Sequence, residues 1–296
     1  MRVLVTGASG FVGGYLVPRL EAAGASVRAT DRQELDVCDP EAVRRAVAGW
    51  RPDAVVHLAA QSSDARSRSR EEATWRINLG GTLAVLRACA ASSRPPRVLL
   101  VGSGLAYGGG PRPHREDDPL APASPYARTK AAADLLGGVF ARRGLPVVRA
   151  RPFNHTGPGQ PDHFAVPSFA RQIAEIEAGR REPVLRVGNL DAVRDLLHVD
   201  DVVEAYVRLL DPAVPPRAFN VARGEGIRIG DLLRELMDLA GVRAEVRVEP
   251  ARVRPADALV GDPSRLSDFT GWTPRRSLRE TLAEVLESSR DRVRRS

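Results

Sequence analysis

An α/β fold, with a doubly wound parallel sheet and a smaller C-terminal lobe, is predicted by three features of the sequence. Short apolar runs alternate with amphipathic helical stretches through about residue 150. A glycine-spaced turn follows the first of those runs. Beyond about residue 160 the alternation loosens into a helix, short strands and proline-punctuated loops. Strands that are apolar on both faces belong in a sheet covered by helices on each side.

Taken in order, Arg2–Thr6 reads as a strand, followed by the glycine turn and a helix to about Ala23. Pro18 falls inside that helix and should cost it a hydrogen bond or a kink. Ser26–Thr30 is a second strand, Glu41–Gly49 a helix and Ala54–Leu58 a strand. One helix is expected over Thr74–Ala91, then the strand Arg97–Val101, the helix Pro125–Arg142 and the strand Pro146–Ala150. A further helix is expected over residues 167–178. The expected division is a nucleotide-binding unit over residues 1–160, rejoined by 189–222, with a substrate-binding lobe from 161–188 and 223–296.

Composition narrows the class. The net charge of +7 comes from arginines dispersed among Glu and Asp, with no basic segment interleaved with glycine or aromatics, so nucleic acid is not the expected partner. No stretch approaches the roughly 18 apolar residues of a membrane helix, and no leader or cleavage site precedes the first strand, so a cytoplasmic location is expected. Cys38 and Cys89 have no metal-binding spacing; free thiols and no metal are expected. Of the 44 basic residues only Lys130 is a lysine. An ammonium is a compact point charge and a guanidinium a wide planar fork, so the amine at this position calls for a reason.

The turn Thr6-Gly7-Ala8-Ser9-Gly10-Phe11-Val12-Gly13 places glycines where a chain must turn tightly and bring backbone N–H groups against a pyrophosphate, with a helix N-terminus behind them. At the start of a βαβ unit this is a Rossmann-type dinucleotide site, lined by Gly7, Ser9, Gly10, Phe11, Val12 and Gly13. Asp31 ends the second strand, where an acid can bind ribose hydroxyls and favour NAD. Its neighbour Arg32 could clamp a 2′-phosphate, so NAD(P)H is expected with NAD and NADP both open. Asp36 and Val37 are placed near the adenine, and Leu58, Ala59 and Ala60 against the cofactor. His57 reads as structural.

Tyr126 and Lys130 are four residues apart, on one face of a helix that Ser124-Pro125 can start. A free tyrosine, with a pKa near ~10, is a poor base at neutral pH; an adjacent ammonium stabilises its phenolate. Lys130 is therefore expected to lower the Tyr126 pKa and to reach the nicotinamide ribose. Ser103, just past the strand Arg97–Val101, can orient a substrate oxygen toward Tyr126.

These motifs, together with His57-Leu-Ala-Ala60, Asn78-Leu-Gly-Gly-Thr82, Ser103 to Tyr107-Gly108 and Pro125-Tyr-Ala-Arg-Thr-Lys130, resemble the extended short-chain dehydrogenase/reductase family over essentially the whole chain. The resemblance implies a catalytic set of Ser103, Tyr126 and Lys130. It also implies Asn78 and Pro152 at the cofactor, and a homodimer built through the helices that follow residues 74 and 125.

The second half resembles the GDP-mannose-modifying branch, comprising 4,6-dehydratases and 4-keto-6-deoxy-mannose reductases. The matching segments are Arg151-Pro-Phe-Asn-His-Thr-Gly-Pro-Gly-Gln160, Gly188-Asn-Leu-Asp191 with Arg194-Asp195, His198-Val-Asp-Asp201, Arg254-Pro-Ala-Asp257 and Gly271-Trp-Thr-Pro274. Asn154 can bond substrate phosphate or sugar. Arg171, Arg194 and Arg254 are candidates for a diphosphate, where charge-assisted bonds are strong, and Asp257 for ribose hydroxyls. Ser62 falls where the family has a substrate-contacting serine, although the surrounding Asp64–Arg70 segment is more charged than the family pattern. Leu105 departs from both members of that branch: the dehydratases have there a glutamate that moves protons at C5 and C6, the reductases can carry an acid there too, and a leucine moves no proton, which hydride reduction does not require. The expectation is a 4-ketoreductase of a nucleotide-linked 4-keto-6-deoxy sugar, with GDP favoured. The alternatives are a 4-epimerase with retained NAD, a dehydratase, or a non-catalytic dinucleotide-binding protein.

Overall fold

The computed structural model describes residues 1–250 and 257–295. The central sheet is built from β1 (Arg2–Thr6), β2 (Ser26–Thr30), β3 (Ala54–His57), β4 (Arg97–Val101) and β5 (Val147–Pro152), with β9 (Ala218–Val221) on its far edge. Among the described residues these six strands lie in the order β2-β1-β3-β4-β5-β9, every pair parallel. The order reverses between β1 and β3, and such a switch point opens a crevice at the carboxyl ends of the strands.

Each face of the sheet carries its own core. Val3, Val5, Val56 and Leu99 pack on one side with Leu16 and Leu20 of the helix Phe11–Ala22 and Val202, Tyr206 and Leu209 of the helix Val199–Leu209. Leu4, Val55, Val98 and Leu100 face the other side, against Val43 and Val47 of the helix Pro40–Trp50 and Val85 and Leu86 of the helix Gly81–Ala90. Alternate residues of one strand thus serve two cores, which is why β3 and nearly all of β4 are buried throughout.

A third core joins the helices Ala165–Glu177, Ile229–Ala240 and Leu278–Arg295. It sits with the small pairings beyond the sheet: β6 (Asn154–Thr156) on β8 (Val193–His198), β7 (Val184–Val187) on β11 (Glu245–Val248), and β10 (Gly226–Arg228) and β12 (Ala258–Leu259) flanking the start of β8.

Two local expectations change and one holds. The helix Phe11–Ala22 runs through Pro18 at the expected cost of one hydrogen bond; Gly14 and Pro18 are both exposed, so the carbonyl deprived of its partner lies on the solvent side. The single helix expected over 74–91 is Glu71–Trp75, a π-helical turn Arg76–Gly80 and then Gly81–Ala90. A Cβ on Gly81 would stand 2.7 Å from Val37 Cγ2, so the helix presses its backbone against the loop after β2. The strand expected to stop at Ala150 runs to Pro152, because β9 keeps pairing with it as far as Val221. Pairing with β4 ends at Ala150, so the N–H that Pro152 lacks is not needed there.

Candidate active site

A cavity of about 620 Å³ runs over the carboxyl ends of the central strands. Its first part is the glycine turn. Gly7 has φ +74°, and a Cβ there would stand 2.7 Å from the backbone of Ala59; a Cβ on Gly13 would stand 2.3 Å from the Ala8 carbonyl oxygen. Both glycines are therefore required by close backbone approach. The helix behind them has no side-chain cap at Gly10, so its first N–H groups have no side-chain acceptor. An uncapped helix start on a concave wall is an anion cradle, and it fits a dinucleotide pyrophosphate.

All the residues expected at the cofactor line this cavity except Asn78 and Lys130: Gly7, Ser9, Gly10, Phe11, Val12 and Gly13, then Asp31, Arg32, Asp36 and Val37, then Leu58, Ala59, Ala60, Tyr126 and Pro152. Asp31 Oδ1 accepts the N–H groups of Gln33 and Glu34 at 2.7 and 3.2 Å, which shapes the turn after β2. Asn78 lies behind the wall. It is buried in the π-helical turn, accepts from Gln61 N at 2.8 Å and donates to Thr129 Oγ1 at 2.9 Å, tying the loop after β3 to the helix Pro125–Arg142. The π-helical turn therefore has a positional use.

The helix Pro125–Arg142 starts as its sequence requires: Ser124 accepts from Ala127 N at 3.2 Å and Pro125 takes the first turn. Tyr126 N–H is capped separately by Ser67 Oγ at 3.1 Å, from the short helix Asp64–Ser69. The charged loop thus turns Ser67 inward onto the Tyr126 helix and leaves Arg66, Arg68 and Arg70 exposed. Ser103, Tyr126 and Lys130 are all buried. Tyr126 shares a hydrogen bond with Ser103, whose Oγ also accepts from Leu105 N at 3.2 Å.

The electrostatics differ from the sequence expectation. Burial, with a smaller contribution from Asp64, pushes the Tyr126 hydroxyl up to about 12 despite the Ser103 hydrogen bond. Lys130 does not offset this. Its own burial brings it down to about 8, and its Nζ donates to the Val101 carbonyl at 2.7 Å. The lysine is held by the end of β4, and Tyr126 keeps its proton at neutral pH. His57 is neutral: burial, then the Lys130 charge, bring it down to about 3, and its Nδ1 sits 2.8 Å from Thr6 Oγ1.

Of the residues expected at a substrate, Ser62, Ser103, Leu105 and Asn154 line the cavity. Arg171 does not; it is taken by Asp162 at 3.1 Å and by Glu175. Arg194 and Asp257, expected to hold separate parts of a nucleotide, hold each other at 2.7 Å, and Arg194 also donates to the Val193 and Asp257 carbonyls. Arg254 lies outside the described residues. The sequence reading had not singled out Arg76 and Cys38 at the Asp36 end, or Phe153, His155, His163 and Leu259 elsewhere on the wall. Phe153 and His155 flank Asn154, so their motif pointed to them; Leu259 arrives through the β12–β8 pairing, which no local pattern announces.

The family model for the NAD dependent epimerase/dehydratase family matches residues 3–222. The chain is 38% identical to GDP-6-deoxy-D-mannose reductase of Pseudomonas aeruginosa, covering 99% of this chain and 98% of that protein. It is 31% identical to UDP-glucose 4-epimerase of Mycolicibacterium smegmatis, covering 99% of each. Among solved structures, RMD from Pseudomonas aeruginosa in complex with NADPH superposes with a TM-score of 0.89 at 35% identity, over 98% of this chain and 99% of that one. The UDP-glucose 4-epimerase of Thermus thermophilus in complex with NAD does so with a TM-score of 0.88 at 30% identity, over 98% and 99%. With its glycine cradle, with Ser103 and Tyr126 on the same crevice and with Lys130 buried one helical turn after Tyr126, the chain belongs to the NAD dependent epimerase/dehydratase family, the extended short-chain dehydrogenase/reductases.

Proposed function

We propose that the protein is an NAD(P)H-dependent 4-ketoreductase of a nucleotide-linked 4-keto-6-deoxy sugar, with GDP as the favoured nucleotide. The observation that carries this reading is the placement of Tyr126 and Ser103, both buried, on the wall of the cavity that begins at the glycine turn, with Leu105 on the same wall. When bound, the nicotinamide supplies the hydride. Ser103 and Tyr126 then polarise the sugar carbonyl, and Tyr126 gives its proton to the forming alkoxide. Lys130 holds positive charge beside the oxygen that has lost the proton and reaches the nicotinamide ribose. The length and identity shared with the GDP-6-deoxy-D-mannose reductase support GDP as the nucleotide.

Leu105 on the wall leaves that position without a group to move a proton at C5 or C6, which supports reduction over dehydration. Residues 161–188 and 223–296 form the substrate-side lobe in this reading, and the free thiols of Cys38 and Cys89 suit a cytoplasmic enzyme. Among the described residues no helix is long and apolar enough to cross a membrane. The protein acts as a homodimer through the helices Gly81–Ala90 and Pro125–Arg142, a reading supported by Leu135, a large apolar side chain left 60% exposed on the second of them.

The test is a panel of GDP-, dTDP- and UDP-4-keto-6-deoxyhexoses, each with NADH and with NADPH, following loss of the reduced-cofactor absorbance. Consumption of cofactor with the GDP sugar at the highest kcat/KM is expected. Interconversion of C4 epimers with no net loss of absorbance would make the protein an epimerase instead.

A further inference from the structure

One part of the cavity wall is apolar and rigid. Leu105, Phe153 and Leu259 line the cavity and belong to a single cluster with Tyr107 and Ala222. The Phe153 ring is wedged between two glycines: a Cβ on Gly104 would stand 3.0 Å from it, and a Cβ on Gly261 would stand 2.4 Å from it. Neither approach leaves room for the ring to shift. Leu105 is fixed relative to Ser103, because its N–H donates to Ser103 Oγ at 3.2 Å within the short 3-10 turn Gly104–Tyr107. Among the described residues the acids on the cavity wall are Asp31 and Asp36, both in the segment after β2 at the dinucleotide end.

Given a C4 carbonyl on Ser103 and Tyr126, C6 of the same sugar is only two bonds from the reacting carbon. The group carried by C6 therefore falls within reach of the turn that carries Ser103, where Leu105 is the neighbouring cavity side chain. A methyl placed there exchanges water for methyl groups and ring carbons. A hydroxymethyl placed there gives up its bonds to water and meets no acceptor or donor from the side chains of Leu105, Phe153 and Leu259, which penalises it. We propose that Leu105, backed by Phe153 and Leu259, is the residue that selects a 6-deoxyhexose over its 6-hydroxy counterpart. The proposal rests on the ketoreductase reading, since it uses the carbonyl position that reading assigns.

Stable product-side ligands test it. The full-length enzyme saturated with NADP⁺ is titrated calorimetrically with a GDP-linked 6-deoxyhexose and with GDP-mannose, which carries the C6 hydroxyl. The wild type is expected to bind the 6-deoxy sugar at least about tenfold more tightly, the scale of discrimination a hydrophobic pocket gives. Leu105→Gln should bring the two affinities close to equal, by weakening the first and strengthening the second. Leu105→Ala should weaken the 6-deoxy sugar alone. Unaltered NADPH affinity in each variant verifies that it is folded. A wild-type ratio near one, or a ratio unchanged in both variants, overturns the proposal. If the wild type reduces no 4-keto sugar at all, the ketoreductase reading fails and this inference with it; if it reduces one and the ratio is flat, only the inference fails.

Discussion

Lys130 is the one lysine among 44 basic residues, and its surroundings give the reason. The ammonium is buried, with its Nζ 2.7 Å from the Val101 carbonyl. A guanidinium, wider and planar, would have to displace the end of β4 to occupy that place. Burial brings Lys130 down to about 8, so its charge disappears as pH rises through that value, while Tyr126, at about 12, still carries its proton. Below pH 8 both groups are in the form that reduction needs. The kcat/KM for ketone reduction, which reports the free enzyme, is therefore expected to hold below pH 8 and to fall above it. Lys130→Arg should lower the plateau and abolish that alkaline fall, because a guanidinium does not titrate there. A fall that persists in the variant would assign the limb to another group. The sequence supplied the identity and spacing of these residues. It misjudged the direction in which the Tyr126 pKa moves, since desolvation depends on what packs around a side chain and not on its neighbours in the chain.

The helix Pro125–Arg142 carries Tyr126, Lys130 and Asp134 at successive four-residue steps, on one face. Its two ends were readable because caps are local: Ser124, Pro125 and Tyr126 are consecutive. What pins the helix was not readable. Asp134 is 2% exposed and receives Arg151 through two bonds, Nε at 2.9 Å and Nη2 at 2.7 Å, with Arg149 at 3.0 Å. Arg151 goes on to Tyr107 Oη at 2.6 Å and the Glu116 carbonyl at 2.9 Å. The partners come from β5 and from the segment after β4, brought together only by the sheet. Removing one side of a buried pair leaves an uncompensated charge, so Asp134→Ala is expected to lower unfolding free energy by about 3–5 kcal/mol in a denaturant titration. A loss below about 1 kcal/mol would mean that the pair is not holding the helix. The π-helical turn at Arg76–Gly80 was hidden for the same reason: the partners of Asn78 lie 17 and 51 residues away.

At the scale of the whole molecule, the alternating first half announced the parallel sheet, because strands buried on both faces are apolar at most positions. The second half was legible mainly as resemblance. The pairing of β12 with β8 sets Ala258 against Val193 and so brings Asp257 to Arg194, an ion pair between two residues expected to hold separate parts of a nucleotide. A register between segments some 60 residues apart leaves no periodic trace. Many of the arginines are likewise held in surface pairs such as Arg290 with Glu177 and Arg19 with Glu204, which leaves the +7 excess dispersed and not gathered for a polyanion. Assembly belongs to this scale as well. The exposed Leu135 lies on the helix that carries Tyr126, so Leu135→Glu is expected to halve the mass seen by light scattering while leaving the fold intact by circular dichroism. A wild type that is monomeric at every concentration would refute the homodimer.

The account rests on Tyr126 giving a proton to a sugar carbonyl that receives hydride. Its most direct test is the amount of NADPH consumed per GDP-4-keto-6-deoxyhexose supplied, measured in the wild type and in Tyr126→Phe. One NADPH oxidised per sugar reduced is expected in the wild type. The variant should turn over about 10²–10⁴-fold more slowly, with an unchanged NADPH dissociation constant. Conversion of the sugar without net NADPH consumption, or a variant as fast as the wild type, would contradict it.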